Sequence, residues 1–257
     1  EGAAEAFTLL AKGNVDESGV AHFVGAARRS VRLQLEAPII DSLPLTDYPA
    51  SGERSYRSCA IVGNSGTLLG AAQGPEIDRH EAVMRINYAP VKGFEADVGA
   101  KSTFDFSNRE NARRILKFTP RDWRNSTLLF FEVNSPTNRN KMFVPLTHKN
   151  PEREIHFIHP GFVVRAMDLW FDFKTEIEGR RHQKFHDKPM SGFMAILFMM
   201  QICRQVDLYG FEAYTKKRAN SPYHYFDEVQ GVVTVHSFDM AIDIYRLLGE
   251  VYPLSIK

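Results

Sequence analysis

The sequence predicts an α/β fold in which a mostly parallel sheet is flanked by helices. Short apolar runs that end in Gly or Asn, such as Cys59–Val62 before Gly63, are typical of buried strands. The apolar run at 191–203 predicts a buried helix, because a membrane span needs roughly 18 apolar residues. Strand-like and helix-like segments alternate along the chain, which is the order expected of a single α/β domain.

The amino-acid composition is that of an ordinary globular protein. The chain has 257 residues, of which 44% are hydrophobic and 25% are charged, so it can bury a sizeable core. Its formal net charge of +1 predicts no strong affinity for nucleic acid or other polyanions.

Residues 1–56 are predicted to form an N-terminal helical and irregular wrap, ahead of a main domain at 57–257. Helix-like patches occur at 3–11 and 21–33, and the Pro and Gly residues of 36–56 predict an irregular connection. Strands are predicted at 59–62, 82–86, 102–106, 126–133, 155–158, 206–209 and 232–235. Helices are predicted near 108–117, 162–173, 191–203 and 239–250, with a loop at 134–140.

Polar residues follow two of the predicted strands. Gly63, Asn64, Ser65 and Gly66 form a turn after the first strand, and Asn87 ends the next one. Two glycines allow a sharp turn and a close ligand, and main-chain N–H groups there can hold a phosphate. Asn suits phosphate oxygens, a ribose or a pyrimidine edge. Ligands of open α/β sheets bind at such strand ends, although these residues alone leave an ordinary turn open.

Four blocks of the chain resemble the sialylmotifs of the eukaryotic sialyltransferases, glycosyltransferase family 29, in the family's order. They span residues 57–248, which makes the match specific. The matching residues are Cys59, Gly63-Asn64-Ser65-Gly66, Arg85, Asn87, Val98-Gly99 and Lys101 in the large motif; Ser191-Gly192, Cys203 and Asp207 to Phe211 in the small motif; His224-Tyr225-Phe226-Asp227 in the third; and His236 in the very short motif.

The resemblance implies a Rossmann-like, GT-A-variant fold and an inverting glycosyltransferase. Such an enzyme moves a 2-keto sugar acid from its CMP donor to a hydroxyl of a glycan acceptor. The donor is CMP-sialic acid or, as in the plant and algal branch that is associated with acidic pectin, CMP-Kdo. No cofactor or metal is expected: the chain lacks Asp-x-Asp, which many nucleotide-sugar transferases use to hold a divalent metal. A CMP-sugar also carries only one phosphate.

The resemblance also assigns roles to individual residues. His236 is the general base and His224 faces the leaving phosphate, although a lone His of either kind is more often structural. Ser191 is expected to cap the apolar helix, whose N-terminus favours an anion. Ser107 and Asn108 follow another predicted strand and are expected at the same cleft. The full predicted donor site is Gly63, Asn64, Ser65, Asn87, Ser107, Asn108, Ser191, Gly192, Gly210, Phe211, Tyr223 and Tyr225.

Two positions depart from the family pattern. Phe226 stands where the family has Tyr, and Ala241 stands where it has Glu. Either Asp239 replaces that Glu, or the chain is a diverged CMP-binding protein without transfer activity. The basic run at 180–184 is either a solvent-exposed loop without a binding role or a positively charged surface that attracts an acidic polysaccharide acceptor. A nicotinamide-dependent dehydrogenase is disfavoured, because G-x-G-x-x-G is missing.

The two cysteines and a glycosylation sequon bear on the cellular compartment in which the protein is expected to work. By themselves, Cys59 and Cys203 are expected to be buried free thiols, whereas the resemblance implies that they form a disulfide. Such a bond would contribute roughly 4–5 kcal/mol in the chain-entropy model and requires an oxidising compartment. Asn125-Ser126-Thr127 is an N-glycosylation sequon. The resemblance implies a type II membrane protein of the Golgi lumen, attached to the membrane only through a removed N-terminal anchor.

Overall fold

The computed structural model describes residues 9–24, 30–47, 54–117, 125–133, 135–213, 222–229 and 236–257. The predicted strand at 232–235 and most of the predicted helix at 3–11 lie outside these ranges. The strands are β1 (Val20–Val24), β2 (Ser30–Gln34), β3 (Cys59–Val62), β4 (Ala82–Ile86), β5 (Phe104–Ser107), β6 (Thr127–Phe130), β7 (Ile155–Phe157), β8 (Val206–Tyr209) and β9 (Leu254–Ile256). The α-helices are α1 (Ala37–Ser42), α2 (Gly74–Asp78), α3 (Glu95–Val98), α4 (Arg109–Lys117), α5 (Pro136–Asn138), α6 (Val144–Lys149), α7 (Pro160–Arg181), α8 (Ser191–Ile202) and α9 (Phe238–Val251).

Strands β3 to β9 form one sheet in the order β7-β6-β5-β4-β3-β8-β9. The pairs β3–β4, β3–β8, β6–β7 and β8–β9 are all parallel. The predicted α/β fold with a parallel sheet is therefore confirmed. The chain adds β4 on one side of β3 and later returns to add β8 on the other. The strand order thus reverses between β3 and β8, and ligands of open α/β sheets bind at such a switch point.

The chain divides into two compact units, residues 1–53 with 106–168 and residues 54–105 with 169–257. The second unit holds β3, β4, β8 and β9, together with both candidate histidines and every residue of the predicted donor site except Ser107 and Asn108. The predicted boundary between an N-terminal wrap and a domain starting at residue 57 stays a prediction.

Several predictions for the first unit are wrong. The segment predicted as a helix at 21–33 contains an antiparallel hairpin, in which Val20 of β1 faces Gln34 of β2. Its Val and Phe residues favour strands, and pairing satisfies the main-chain hydrogen bonds. The predicted irregular connection at 36–56 contains α1, with a Pro in its first turn. The predicted loop at 134–140 contains α5 and the start of a π-helical turn, Arg139–Phe143, which α6 follows.

The core of the second unit is built on β3 and α8. All four residues of β3 are buried, and so are nearly all residues of α8, which explains why this helix has no polar face. Cys59 begins β3 and forms a disulfide with Cys203, which directly follows α8, so the pairing implied by the family resemblance is confirmed. None of the helices in the described ranges has the length and apolar character of a membrane span.

Candidate active site

Asn64 and Asn87 lie at the carboxyl ends of adjacent parallel strands. Val62 of β3 pairs with Arg85 of β4, so the asparagine two residues beyond each is in register. In the amide orientation that its surroundings require, the Asn64 side chain donates to the main-chain oxygens of Ile86 and Gly63, both at 3.2 Å. Asn87 has φ 59°, a left-handed conformation that Asn tolerates better than most residues. The structure therefore brings the two predicted asparagines together.

Arg85 has a structural role beside these asparagines. It is fully buried, and its guanidinium donates to the main-chain oxygens of Val98, Gly99 and Lys101 at 2.7–2.9 Å. Its Nε donates to Ser102 Oγ at 2.8 Å. The Arg85 and Val98-Gly99-x-Lys101 parts of the large motif therefore fasten the loop before β5 to β4.

Gly63 lies where β3 and β8 approach each other. Its N–H donates to the Tyr209 main-chain oxygen at 2.8 Å. A Cβ at Gly63 would lie 2.5 Å from the Gly210 main-chain oxygen, which leaves no room for a side chain. Gly210 itself has φ +68°. The sequence explained Gly63 by a close ligand, whereas the structure shows that a neighbouring main chain already requires a glycine there.

Phe211 lies two residues beyond the end of β8, and its ring packs against the start of α8. A Cβ at Gly192 would lie 2.8 Å from Phe211 Cε1, and one at Gly63 would lie 3.3 Å from Cε2. The ring therefore fits between the two glycines. Ser191 is the first helical residue and not the cap, because Met190 before it is the N-cap and bonds no main-chain group with its side chain. The predicted cap is wrong by one residue, but the N-terminus of the helix still carries a positive dipole end that favours an anion.

Ser65 and Gly66 connect the large motif to the third one. Ser65 is buried, and its Oγ accepts from the N–H of Thr67 at 3.2 Å, which caps the 3₁₀ helix Gly66–Leu68. The N–H of Gly66 donates to the Pro222 main-chain oxygen at 3.1 Å. Tyr225 extends the connection, since its N–H donates to the Asn64 main-chain oxygen at 2.9 Å and its hydroxyl donates to that of Pro90.

His224 is held by a carboxylate and two rings. Its Nδ1 lies 2.8 Å from Asp227 Oδ2, and its ring stacks on Phe226 with centroids 4.8 Å apart. The Tyr223 ring lies 4.5 Å away on centroids. Phe226, the departure from the family's Tyr, therefore supplies a stacking surface. The structure adds Asp227 to the candidate site, and its place three residues after His224 was the signal available in the sequence.

His236 is held by a main-chain group. Its Nδ1 lies 2.9 Å from the Lys188 oxygen. A carbonyl oxygen only accepts, so Nδ1 carries the proton and Nε2 keeps a lone pair. The pKa of His236 is lowered from its usual 6.5, mainly by burial; the hydrogen bond to Lys188 opposes this effect, and the charges of Lys188 and His186 add to it. The imidazole is therefore neutral at pH 7 and can accept a proton.

Asp239 does not replace the Glu that the family carries near His236. It lies 3.5 Å from Arg181, which also pairs with Asp243. Ala241 is buried on α9. The ring of His236 instead contacts Phe238, which also contacts Tyr223, with centroids 5.9 Å apart in both pairs. Phe238 thus connects the two histidine segments.

Ser107 and Asn108 belong to the other unit. Asn108 caps α4, because its Oδ1 accepts from the N–H of Asn111 at 3.0 Å. Ser107 is the last residue of β5 and is buried. Their assignment to the donor cleft stays a prediction. Among the residues that the structure covers, no group of three or more His, Cys, Asp or Glu is arranged to hold a metal ion.

The fold and the site define an α/β protein whose candidate ligand site lies at the switch point of a parallel sheet. The chain belongs to glycosyltransferase family 29, the sialyltransferases, whose family profile matches residues 21–250.

Named relatives agree with this assignment. The chain is 31% identical over 217 residues to CMP-N-acetylneuraminate-beta-galactosamide-alpha-2,3-sialyltransferase 1 of Sus scrofa, a match that covers 79% of this chain and 58% of the relative. It is 27% identical to beta-galactoside alpha-2,6-sialyltransferase 2 of Homo sapiens, over 84% of this chain and 39% of the relative. The chain thus spans about half the length of these relatives.

A crystal structure of a mammalian sialyltransferase is similar to this one, with a TM-score of 0.55 and 27% identity over 79% of this chain and 69% of the other. A crystal structure of a mammalian sialyltransferase in complex with Gal-beta-1-3GalNAc-ortho-nitrophenol gives the same values.

Proposed function

We propose that this chain is an inverting glycosyltransferase that moves a 2-keto sugar acid from a CMP donor to a hydroxyl of a glycan. The observation that carries the proposal is the hydrogen bond between His236 Nδ1 and the Lys188 oxygen, which leaves Nε2 free of a proton. Sialic acid is favoured over Kdo as the transferred sugar, because the relatives are named for CMP-N-acetylneuraminate.

In the proposed reaction, Nε2 of His236 takes the proton of the acceptor hydroxyl. The acceptor oxygen then forms a bond to the anomeric carbon while the bond from that carbon to the CMP phosphate oxygen breaks. Attack from the side opposite the leaving group inverts the configuration. The lowered pKa of His236 keeps its imidazole neutral at neutral pH, and only the neutral form can accept this proton.

The departing CMP gains negative charge on its phosphate. His224, oriented by Asp227, is the proposed donor to that phosphate. The N–H groups at the start of α8 and in the turn after β3 add dipoles that favour an anion. These groups hold a single phosphate without a metal, so we propose that the reaction needs no divalent ion.

The proposed nucleotide site is the edge formed by β3, β4 and β8. Asn64 and Asn87 lie at its centre, with Ser65 and Gly63 beside them. The amide groups suit the pyrimidine or ribose of the donor. We also propose that the protein works in the Golgi lumen, because its disulfide requires an oxidising compartment and Asn125 of the sequon is exposed.

A donor screen tests the function. The purified protein is incubated with CMP-sialic acid or CMP-Kdo and a panel of galactoside and pectic acceptors, and both CMP release and the glycan product are measured. Product from CMP-sialic acid is the expected result, and product from CMP-Kdo alone would replace sialic acid by Kdo. CMP binding without product from either donor would support a binding protein and end the transferase proposal.

A further inference from the structure

The basic segment 180–188 consists of the last two residues of α7 and part of the loop before α8, and it contains the candidate base's main-chain partner, Lys188. Most of its strong cations are already paired with carboxylates of the same unit. The pairs are Arg180 with Glu176, Arg181 with Asp239 and Asp243, and Lys184 with Glu178. The pKa of Glu178 falls to about 2 through its hydrogen bonds to Lys174 and Lys184, so this carboxylate stays charged and keeps its pairs.

Lys188 and His186 differ from these cations. Both are exposed, and within the described ranges neither contacts a carboxylate. Their main chain is fastened to the segment of the candidate base: the Lys188 oxygen accepts from His236, and the His186 N–H donates to Ser237 Oγ at 2.9 Å. Two exposed basic residues therefore lie on a stretch of main chain that is hydrogen-bonded to the segment of His236.

Burial lowers the pKa of His236 most, and the charges of Lys188 and His186 lower it further. Two basic groups beside a base disfavour its protonated form, so they carry a cost for the step in which His236 gains a proton. That cost is offset when an anion binds between them and the reacting centre. The proposed substrates carry two kinds of anion: the CMP phosphate, for which His224 and the start of α8 are the proposed partners, and carboxylates.

We propose that Lys188, with His186 beside it, binds a carboxylate of the sugar substrates next to His236. The inference rests on the proposed function. The carboxylate comes either from the 2-keto acid of the donor or from an acidic sugar of the acceptor. In both cases the Lys188 ammonium forms a charge-assisted hydrogen bond with it.

Steady-state kinetics of Lys188→Met test this site, with Lys184→Met as the matched control from the same segment. The KM of the acidic substrate is expected to rise about tenfold, the effect of losing one hydrogen bond to a charged group. The value of kcat should change little, because the main-chain oxygen that positions His236 remains. Lys188→Arg keeps the charge and is expected to recover most of the affinity, whereas Lys184→Met should stay within about twofold of the wild type.

The two sources of the carboxylate are separated by the substrates. A higher KM for CMP-sialic acid with every acceptor assigns the site to the donor. A higher KM only for an acceptor that bears a uronic or sialic acid, compared with the same glycan without it, assigns the site to the acceptor.

Unchanged KM values in both arms would overturn the inference, and so would an equal effect of Lys184→Met. The failure of the proposed function is distinguishable, because it appears as a wild-type protein that makes no product. In that case equilibrium binding measurements test the inference. Lys188→Met must weaken the binding of CMP-sialic acid or of the acidic glycan and leave the binding of CMP unaffected.

Discussion

Nδ1 of His236 lies 2.9 Å from the main-chain oxygen of Lys188. This single contact orients the imidazole, fixes its tautomer and supplies the support that a nearby carboxylate would otherwise give. Because the partner is an uncharged main-chain oxygen, it favours the protonated imidazole less than a carboxylate would, and burial still lowers the pKa of His236. The Ala at position 241 is therefore compatible with a working base.

Replacement of the candidate base gives the first prediction. His236→Ala is expected to lower kcat by about 10²- to 10⁴-fold, which is the usual contribution of a general base. CMP binding, measured by calorimetry, should remain close to that of the wild type. His148→Ala, an exposed histidine on α6, serves as the control. Turnover within a few fold of the wild type would exclude His236 as the base.

The pH dependence follows from the lowered pKa of His236. Neutral imidazole is the active form, and burial shifts its pKa below 6.5, so the deprotonated form persists into more acidic solution. The acidic limb of kcat/KM is expected to have an apparent pKa below 6.5, with a plateau through neutral pH. A pH–rate profile in constant ionic strength measures it. An acidic limb with an apparent pKa well above 6.5 would contradict this assignment.

Asp227 is predicted to position His224. Asp227→Asn removes the negative charge that lies 2.8 Å from Nδ1 of His224. Without that charge, the imidazole is held less firmly in the orientation in which it donates a hydrogen bond to the phosphate. We expect kcat to fall about 10- to 100-fold. Glu228→Gln, which changes the adjacent exposed acid, is the matched control. Equal kinetics for the two variants would remove Asp227 from the site.

Two helical glycines form a matched pair for the packing of Phe211. A Cβ at Gly192 would lie 2.8 Å from the Phe211 ring, whereas one at Gly179 of α7 would have no atom within 4 Å. Gly192→Ala is expected to displace Phe211 and to weaken CMP binding about tenfold. Gly179→Ala should leave binding unchanged and stabilise the fold by up to about 1 kcal/mol. Unaltered CMP affinity in Gly192→Ala would show that Phe211 does not shape the nucleotide site.

The disulfide gives a prediction for stability. Cys59 and Cys203 are 144 positions apart, so their bond closes a long loop, and the chain-entropy model gives a contribution of about 5 kcal/mol. Reductant is expected to lower the denaturant midpoint of the wild type strongly. The double variant Cys59→Ala, Cys203→Ala should start at a lower midpoint and show no further response to reductant. A wild-type midpoint that ignores reductant, with thiol titration showing full reduction, would contradict the prediction.

Local sequence was sufficient to predict the bounds of a strand where the strand is short, apolar and bounded by Gly or polar residues. The bounds of β3, β4 and β8 were predicted as the structure has them, because such runs have few alternatives to a buried strand. The same reasoning failed at 21–33, where the residues suit either a helix or a hairpin and pairing between β1 and β2 decides. It also missed β9, a three-residue edge strand defined by its pairing with β8.

The sequence by itself determined the family, the strand ends that carry Asn64 and Asn87, and the two histidines of the candidate site, because those features are chemical identities at fixed spacing. Only the tertiary structure decided what each residue contacts. It showed that Gly63 is required by the main chain of β8, that Asp239 pairs with Arg181, and that a carbonyl oxygen from position 188 orients His236. Main-chain oxygens are present at every residue, so no sequence pattern marks the one that folding brings beside an imidazole.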